Sequence, residues 1–203
     1  MLTVKQAKLN TGGLSSPSKM PCHGWSIPTD FCATGKRLAE IAGTVCNLCY
    51  AKGGNYTFPN VKKSLHNRYQ QMLHNPKWIE SMTFLINRYC SKVGFFRWLD
   101  SGDIQGESHL LKIIQICKLT PHITHWLPTH EGVLISKFIG KGGIIPDNLI
   151  VRVSANNITG KPSNAHELTS TVNYTESEFN CPAYTQGGKC LDCRASVSYT
   201  HLR

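Results

Sequence analysis

The spacing of six cysteines constrains this chain more than any other feature. Cys32, Cys46 and Cys49 form one group, with thirteen and then two residues between them. Cys181, Cys190 and Cys193 form another, with eight and then two. Each group ends in a Cys-x-x-Cys knuckle, whose turn lets both sulfurs face a single centre. Four thiolates in a tetrahedron suit zinc, at about 2.3 Å per bond, and four also suit a 4Fe–4S cluster, whose irons each need one outside ligand. Both take sulfur donors, so softness leaves zinc and iron–sulfur open. A redox dithiol at Cys46–Cys49 is the weaker reading, because such pairs open a helix and come without four companions. Six thiols also overfill one zinc ribbon. They suit a cluster held by four with two spare, or one held by three with an open iron beside a second site.

Nine cysteines in 203 residues point, in a reducing compartment, to metal binding rather than a disulfide framework. That compartment is expected to be the cytoplasm. The opening MLTVKQAKLNTGG lacks the apolar core of a secretion signal, and no run approaches the ~18 apolar residues of a membrane span. Cys90 and Cys117 lie inside helix-like apolar patterns and are expected to be packed core thiols. Tyr50, Gly53, Gly54 and Tyr56 follow the first knuckle. They would shield a cluster and let amide N–H groups approach its sulfurs, a tuning that matters more for iron–sulfur centres than for structural zinc. The formal net charge of +10 favours an anionic partner, nucleic acid first, although the basic residues are scattered and metal-bound thiolates would lower it.

Along the chain, residues 1–20 are rich in Ser, Gly and Pro and read as an irregular arm. Residues 21–196 read as one α/β domain. Its first part, to Tyr56, is loop-like, with a short helix through KRLAEIA. NVKKSLHNRYQQMLH puts Val61, Leu65, Tyr69 and Met72 on one helical face, and Pro76 opens a second helix, PKWIESMTFLINRYCSK. Strands in GFFRWLDSGD, HITHWLPTH and NLIVRVSANN then alternate with helices in SHLLKIIQICKL and EGVLISKFIG. This alternation predicts right-handed βαβ units and a mainly parallel sheet, as a partial β/α barrel or an open sheet, with one or two further strands near the ends. A Cys-rich loop layer is expected at the C-terminal ends of the strands. Each strand ends in polar residues: Asp100-Ser101-Gly102-Asp103, Thr129-His130-Glu131 and Ser154 to Asn157. Parallel folds carry their sites there, which makes Asp100, Asp103 and His130 the candidate catalytic groups. Ser154 and Asn156 serve equally well as caps and turn residues.

FCATGKRLAEIAGTVCNLCYAKGGNY, FFRWLDSGDIQ, HWLPTH, LIVRVSANN and CPAYTQGGKCLDCRA, in this order over about residues 20 to 195, resemble the phage gene product 88 family. That family is itself distantly similar to radical S-adenosylmethionine barrels. The resemblance implies that the six clustered cysteines fall on the family's characteristic cysteines, and that Arg97, Asp100, Gly102 and Asp103 fall on its strand end. It implies a phage-encoded protein acting in the infected cell, with an unknown host or phage partner. The chain departs from the radical enzymes, whose first cysteine gap is three and which carry a glycine–glycine–glutamate motif; a cluster without radical chemistry is therefore expected. It departs from the family at Ser196, where a cysteine and a tryptophan are expected. Residues 197–203, VSYTHLR, read as a tail of foreign origin.

Three functions fit these features. The first is an iron–sulfur protein with one 4Fe–4S cluster on these cysteines and an electron-transfer or redox role. Tyr50, Gly53, Gly54, Arg97 and Gly102 would surround the cluster, and Asp100 and Asp103 would orient a substrate. The second is a zinc-stapled nucleic-acid-binding module. The third is a hydrolase or nuclease holding a divalent metal on Asp100, Asp103 and His130.

Overall fold

A computed structural model describes residues 1–159, 161–164, 166–172 and 185–191. The chain runs through α1 (Val4–Thr11), β1 (Gly24–Trp25), α2 (Ala33–Ala39), α3 (Pro59–His74), α4 (Trp78–Cys90), β2 (Phe95–Trp98), α5 (Glu107–Leu119), β3 (Thr124–Thr129), α6 (Gly132–Gly140), β4 (Leu149–Ser154) and β5 (Thr169–Ser170). Short 3₁₀ turns lie at Thr29–Phe31, Val45–Leu48, Tyr50–Lys52 and Gly54–Thr57.

The five strands form one sheet in chain order, β1-β2-β3-β4-β5, every neighbour parallel. Right-handed crossovers that always step in the same direction put their helices on one face. Period-two burial fits this. Phe96 and Trp98 of β2, Leu127 of β3, and Leu149 and Val151 of β4 join one core with Met82, Ile86, Leu110, Ile113 and Ile135 of the helices. Arg97 alternates with Phe96 and Trp98 and faces the other way. The sheet is open and does not close into a barrel, which decides between the two expected architectures.

Pro128 shapes the top of this sheet. The N–H of Thr124 donates toward β2, to Gly94 O, and that of His125 toward β4, to Asn148 O. Position 128 therefore faces β2, and proline has no N–H to offer there. The β2–β3 ladder ends at Arg97↔Trp126, while β3 and β4 stay paired through Thr129↔Val153. Leu99 and Pro128, just beyond the last β2–β3 pair, line a cavity at this end of the sheet.

Three expectations need correction. The arm is not irregular: Val4–Thr11 is a helix, started by Thr3, whose hydroxyl accepts from Gln6 N, and ended by the left-handed Gly12. It is anchored by Asn10, which donates to Ser81 of α4 at 2.9 Å, and by Trp25, whose indole N–H donates to Thr11 O at 3.1 Å. The helix after Pro76 begins at Trp78. Asn75 holds residues 76–77 in a turn, with its side chain accepting from Lys77 N and its carbonyl from Trp78 N. The short helix in the cysteine region starts at Ala33 rather than Lys36. Cys90 and Cys117 are 1% and 0% exposed in the core, as expected of packed thiols.

Candidate functional site

The long connection from β1 to β2 carries Cys32, Cys46 and Cys49 to the C-terminal end of the sheet. Cys32 sits at the N-cap of α2, Cys46 in the turn Val45–Leu48, and Cys49 just after it. Two clamps hold these loops. Glu131, beyond β3, accepts from Thr34 N at 3.0 Å and fixes the start of α2. The segment after β4 pairs with the Cys46 turn: Val45 N donates to Asn156 O and Ile158 N to Gly43 O, both at 2.9 Å. Val45, Ile158 and Val172 pack into a small core of their own under this joint.

The result is a cavity of about 120 Å³ with one wall made by the three cysteines. Tyr50, Arg97, Asp100, Gly102, Asp103 and His130 also line it, so most of the residues singled out from the sequence converge on one place. The thiols are close. A methyl carbon built on Gly35 would stand 3.6 Å from Cys46 Sγ and 3.7 Å from Cys32 Sγ, so these sulfurs lie within about 7 Å of one another. Burial, then the charges of Asp103, Cys49, Cys46 and Glu131, push the Cys32 thiol far above its usual range. Burial, then Cys49 and Asp103, push Cys46 up to about 12, against the pull of Lys52. Among the described residues, no three His, Cys, Asp or Glu side chains stand as the ligand set of a single metal ion.

Asp103 is 4% exposed and both its oxygens are engaged. Oδ1 accepts from Ile104 N at 2.7 Å and Thr129 Oγ1 at 2.5 Å, and Oδ2 from His130 N at 2.8 Å. It ties the end of β2 to the end of β3. Burial raises its pKa, opposed by His130 and these hydrogen bonds. His130 in turn donates from Nδ1 to Asn156 Oδ1 at 3.3 Å. Asp100 takes the Tyr56 hydroxyl on Oδ2 at 3.0 Å and the Tyr50 hydroxyl on its carbonyl. Between Asp100 and the strand, Leu99 is buried with φ +55, a left-handed conformation that costs a side-chain-bearing residue about 1–2 kcal/mol. Arg97 is 6% exposed; its Nη1 donates to Met20 Sδ at 3.0 Å, and its Nε has no partner among the described residues.

Several site residues fall elsewhere. Gly53 and Gly54 lie outside the cavity lining. Gly102 lines it, but its conformation serves packing: at φ +79, an added Cβ would stand 2.7 Å from Ile27 O. Tyr50 and Tyr56 meet edge to face, with centroids 6.0 Å apart, and serve Asp100. Cys190 donates its N–H to Lys19 O at 2.8 Å and is not part of the cavity wall. Cys181, Cys193 and residues 197–203 lie outside the described residues. Lys52 and Glu131 have structural reach into the cysteine site that no local motif signals, because each acts across a gap in sequence.

Among the described residues no helix is long and apolar enough to cross a membrane. No curated protein and no solved structure matches the chain. The family described as Gene product 88 matches residues 1–198. That match takes in nearly the whole chain, including the cysteine loops and all five strand ends, and on this ground the chain belongs to the phage gene product 88 family.

Proposed function

We propose that the protein holds an iron–sulfur cluster on Cys32, Cys46 and Cys49 and uses it for electron transfer or redox chemistry on a host or phage partner or substrate. The observation that carries this is the convergence of three thiols, from two separate loops, on one wall of a cavity at the C-terminal end of a parallel sheet. The donor set fits. Sulfurs on one zinc ion would lie about 3.8 Å apart, the edge of a tetrahedron with ~2.3 Å bonds, and no ligand set of that kind occurs among the described residues. A 4Fe–4S cluster puts each thiolate on a different iron and so accepts a more widely spaced set. The thiols crowd near Asp103 and Glu131, so deprotonating them costs free energy unless a cationic centre arrives with them.

When bound, such a cluster supplies reversible one-electron transfer. The chain's own residues supply the rest. Lys52 offsets negative charge beside Cys46. Glu131 and the Gly43–Ile158 joint hold the two cysteine loops in register with the sheet. Asp103 locks the loop across which a substrate would lie. Arg97 and Asp100, on the same cavity, are charged groups able to orient that substrate. Reconstitution with iron and sulfide under nitrogen tests the ligand assignment. The visible charge-transfer absorption should be lost in Cys32→Ser, Cys46→Ser and Cys49→Ser and kept in the core variant Cys90→Ala. Full absorption in all three serine variants would remove these residues as ligands.

A further inference from the structure

A second, larger hollow of about 510 Å³ opens beside the cysteine cavity and shares Thr29, Ala51, Lys52 and Ser101 with it. Lys52, Lys62, Lys63 and His66 line it, and Asp30 is its one acidic residue. These basic groups come from two places, the turn Tyr50–Lys52 and the outer face of α3, so the chain order hides the patch. Among the described residues none of the three lysines has an acidic partner, and the one ion pair joins Lys141, just after α6, to Glu107 of α5. α3 itself has no acidic residue in sixteen, carries Lys62 and Lys63 near its start, and has no side-chain cap. Positive charge there opposes the helix dipole, so the arrangement works against the helix unless an anion offsets it.

Aromatic surface accompanies the charge. Phe58, at the N-cap of α3 and next to the groove residue Thr57, is 53% exposed. Phe31 stands 5.9 Å from the His66 ring and stacks on Tyr69 at 3.8 Å and 8°. A basic groove that tracks phosphates beside an exposed ring that takes a base is the physical pattern of single-strand binding. A duplex, with its bases paired and stacked, has no use for the ring.

We propose that this groove binds single-stranded nucleic acid, with phosphates on Lys52, Lys62 and Lys63 and a base on Phe58. Lys52 also faces Cys46, so the test is placed on Lys62, Lys63 and Phe58, which lie outside the cysteine cavity's lining and leave the cluster untouched. Fluorescence anisotropy of the full chain with a labelled twenty-nucleotide oligothymidine, over a salt series, tests it. Three phosphate contacts predict a slope of log affinity against log salt of about −2 for a single strand. Lys62→Glu with Lys63→Glu should weaken binding at least about tenfold and flatten the slope by more than about one. Lys118→Glu with Lys137→Glu makes the same change in net charge on α5 and α6 and should change affinity less than about twofold. Phe58→Ala should lose at least about fivefold through lost stacking, with the slope unchanged. Equal losses from the two charge-reversed pairs would mean diffuse attraction and overturn the groove. Equally tight binding of the duplex, full affinity in Phe58→Ala, or saturation by a mononucleotide with no oligonucleotide binding would overturn the single-strand assignment.

Discussion

At the scale of single residues, His125 shows how the core fixes a protonation state. The Trp98 indole N–H donates to His125 Nδ1 at 3.2 Å, so the ring proton sits on Nε2, which donates to Thr120 Oγ1 at 2.8 Å. The Thr120 hydroxyl passes the chain on to Ile116 O at 2.7 Å. Burial, with His122 adding to it, lowers the His125 pKa to about 4; burial, with Lys112, lowers His109 to about 3. Both are neutral in the folded chain near pH 5, while the unfolded chain takes up their protons below about pH 6.5. Their contribution is therefore complete above pH 6.5 and is lost as pH falls, toward 4 for His125 and toward 3 for His109. Two protons give a slope of at most about 2.7 kcal/mol per pH unit. Urea midpoints should stay level from pH 8 to 7 and fall between 6.5 and 5. His125→Gln should halve that fall, and an unchanged acid slope in this variant would contradict the hydrogen-bond chain. Neither role could be read from the residue alone, because a histidine in a strand gives no sign of which nitrogen meets Trp98. The thiols were easier: Cys90 and Cys117 lie on apolar helical stripes, and their burial follows from the stripe.

Elements with strong periodicity stand where the pattern puts them, and those built on polar contacts do not. α3, α5 and β3 lie within a residue or two of the stretches that announce them, and β4 starts one residue into its stretch and stops three short of its end. α1 escapes such a reading because its sequence buries little apolar surface and depends on Asn10, Thr11 and a cap. The capping signal, Thr3 followed by Gln6, was present. The two-residue strands β1 and β5 are recognisable only by their partners. Glycines at element ends give a quantitative check on this joinery. Gly13 and Gly102 both have positive φ, +76 and +79, but an added Cβ meets nothing at Gly13 and strikes Ile27 at Gly102. Gly13→Ala should cost only the backbone term, about 1–2 kcal/mol. Gly102→Ala should cost a further ~1–3 kcal/mol for overpacking, read from denaturant curves. Equal costs would show that the approach of the β2 end to Ile27 does not hold the site together.

For the whole molecule, a sheet laid down in chain order commits its crossover helices to one face and its loops to one end, and this much follows from the alternation of strand and helix patterns. Asp100, Asp103, His130, Cys32, Cys46 and Cys49 share a cavity because each lies in a connection that reaches that end of the sheet. The reason for the cavity was less visible: it depends on Pro128 ending the β2–β3 ladder, and on Glu131 and Asn156 holding distant loops. The groove beside it was hidden altogether, since Lys52 and the α3 lysines meet only in space. The proposed function turns on an iron–sulfur cluster held by the cysteine wall. Anaerobic purification, followed by iron and acid-labile sulfide analysis with electron paramagnetic resonance, tests it most directly. A cluster-bearing protein should be brown, with about four irons and four sulfides per chain, and should bleach in air. A colourless protein with stoichiometric zinc and no sulfide, even after anaerobic reconstitution, would contradict it.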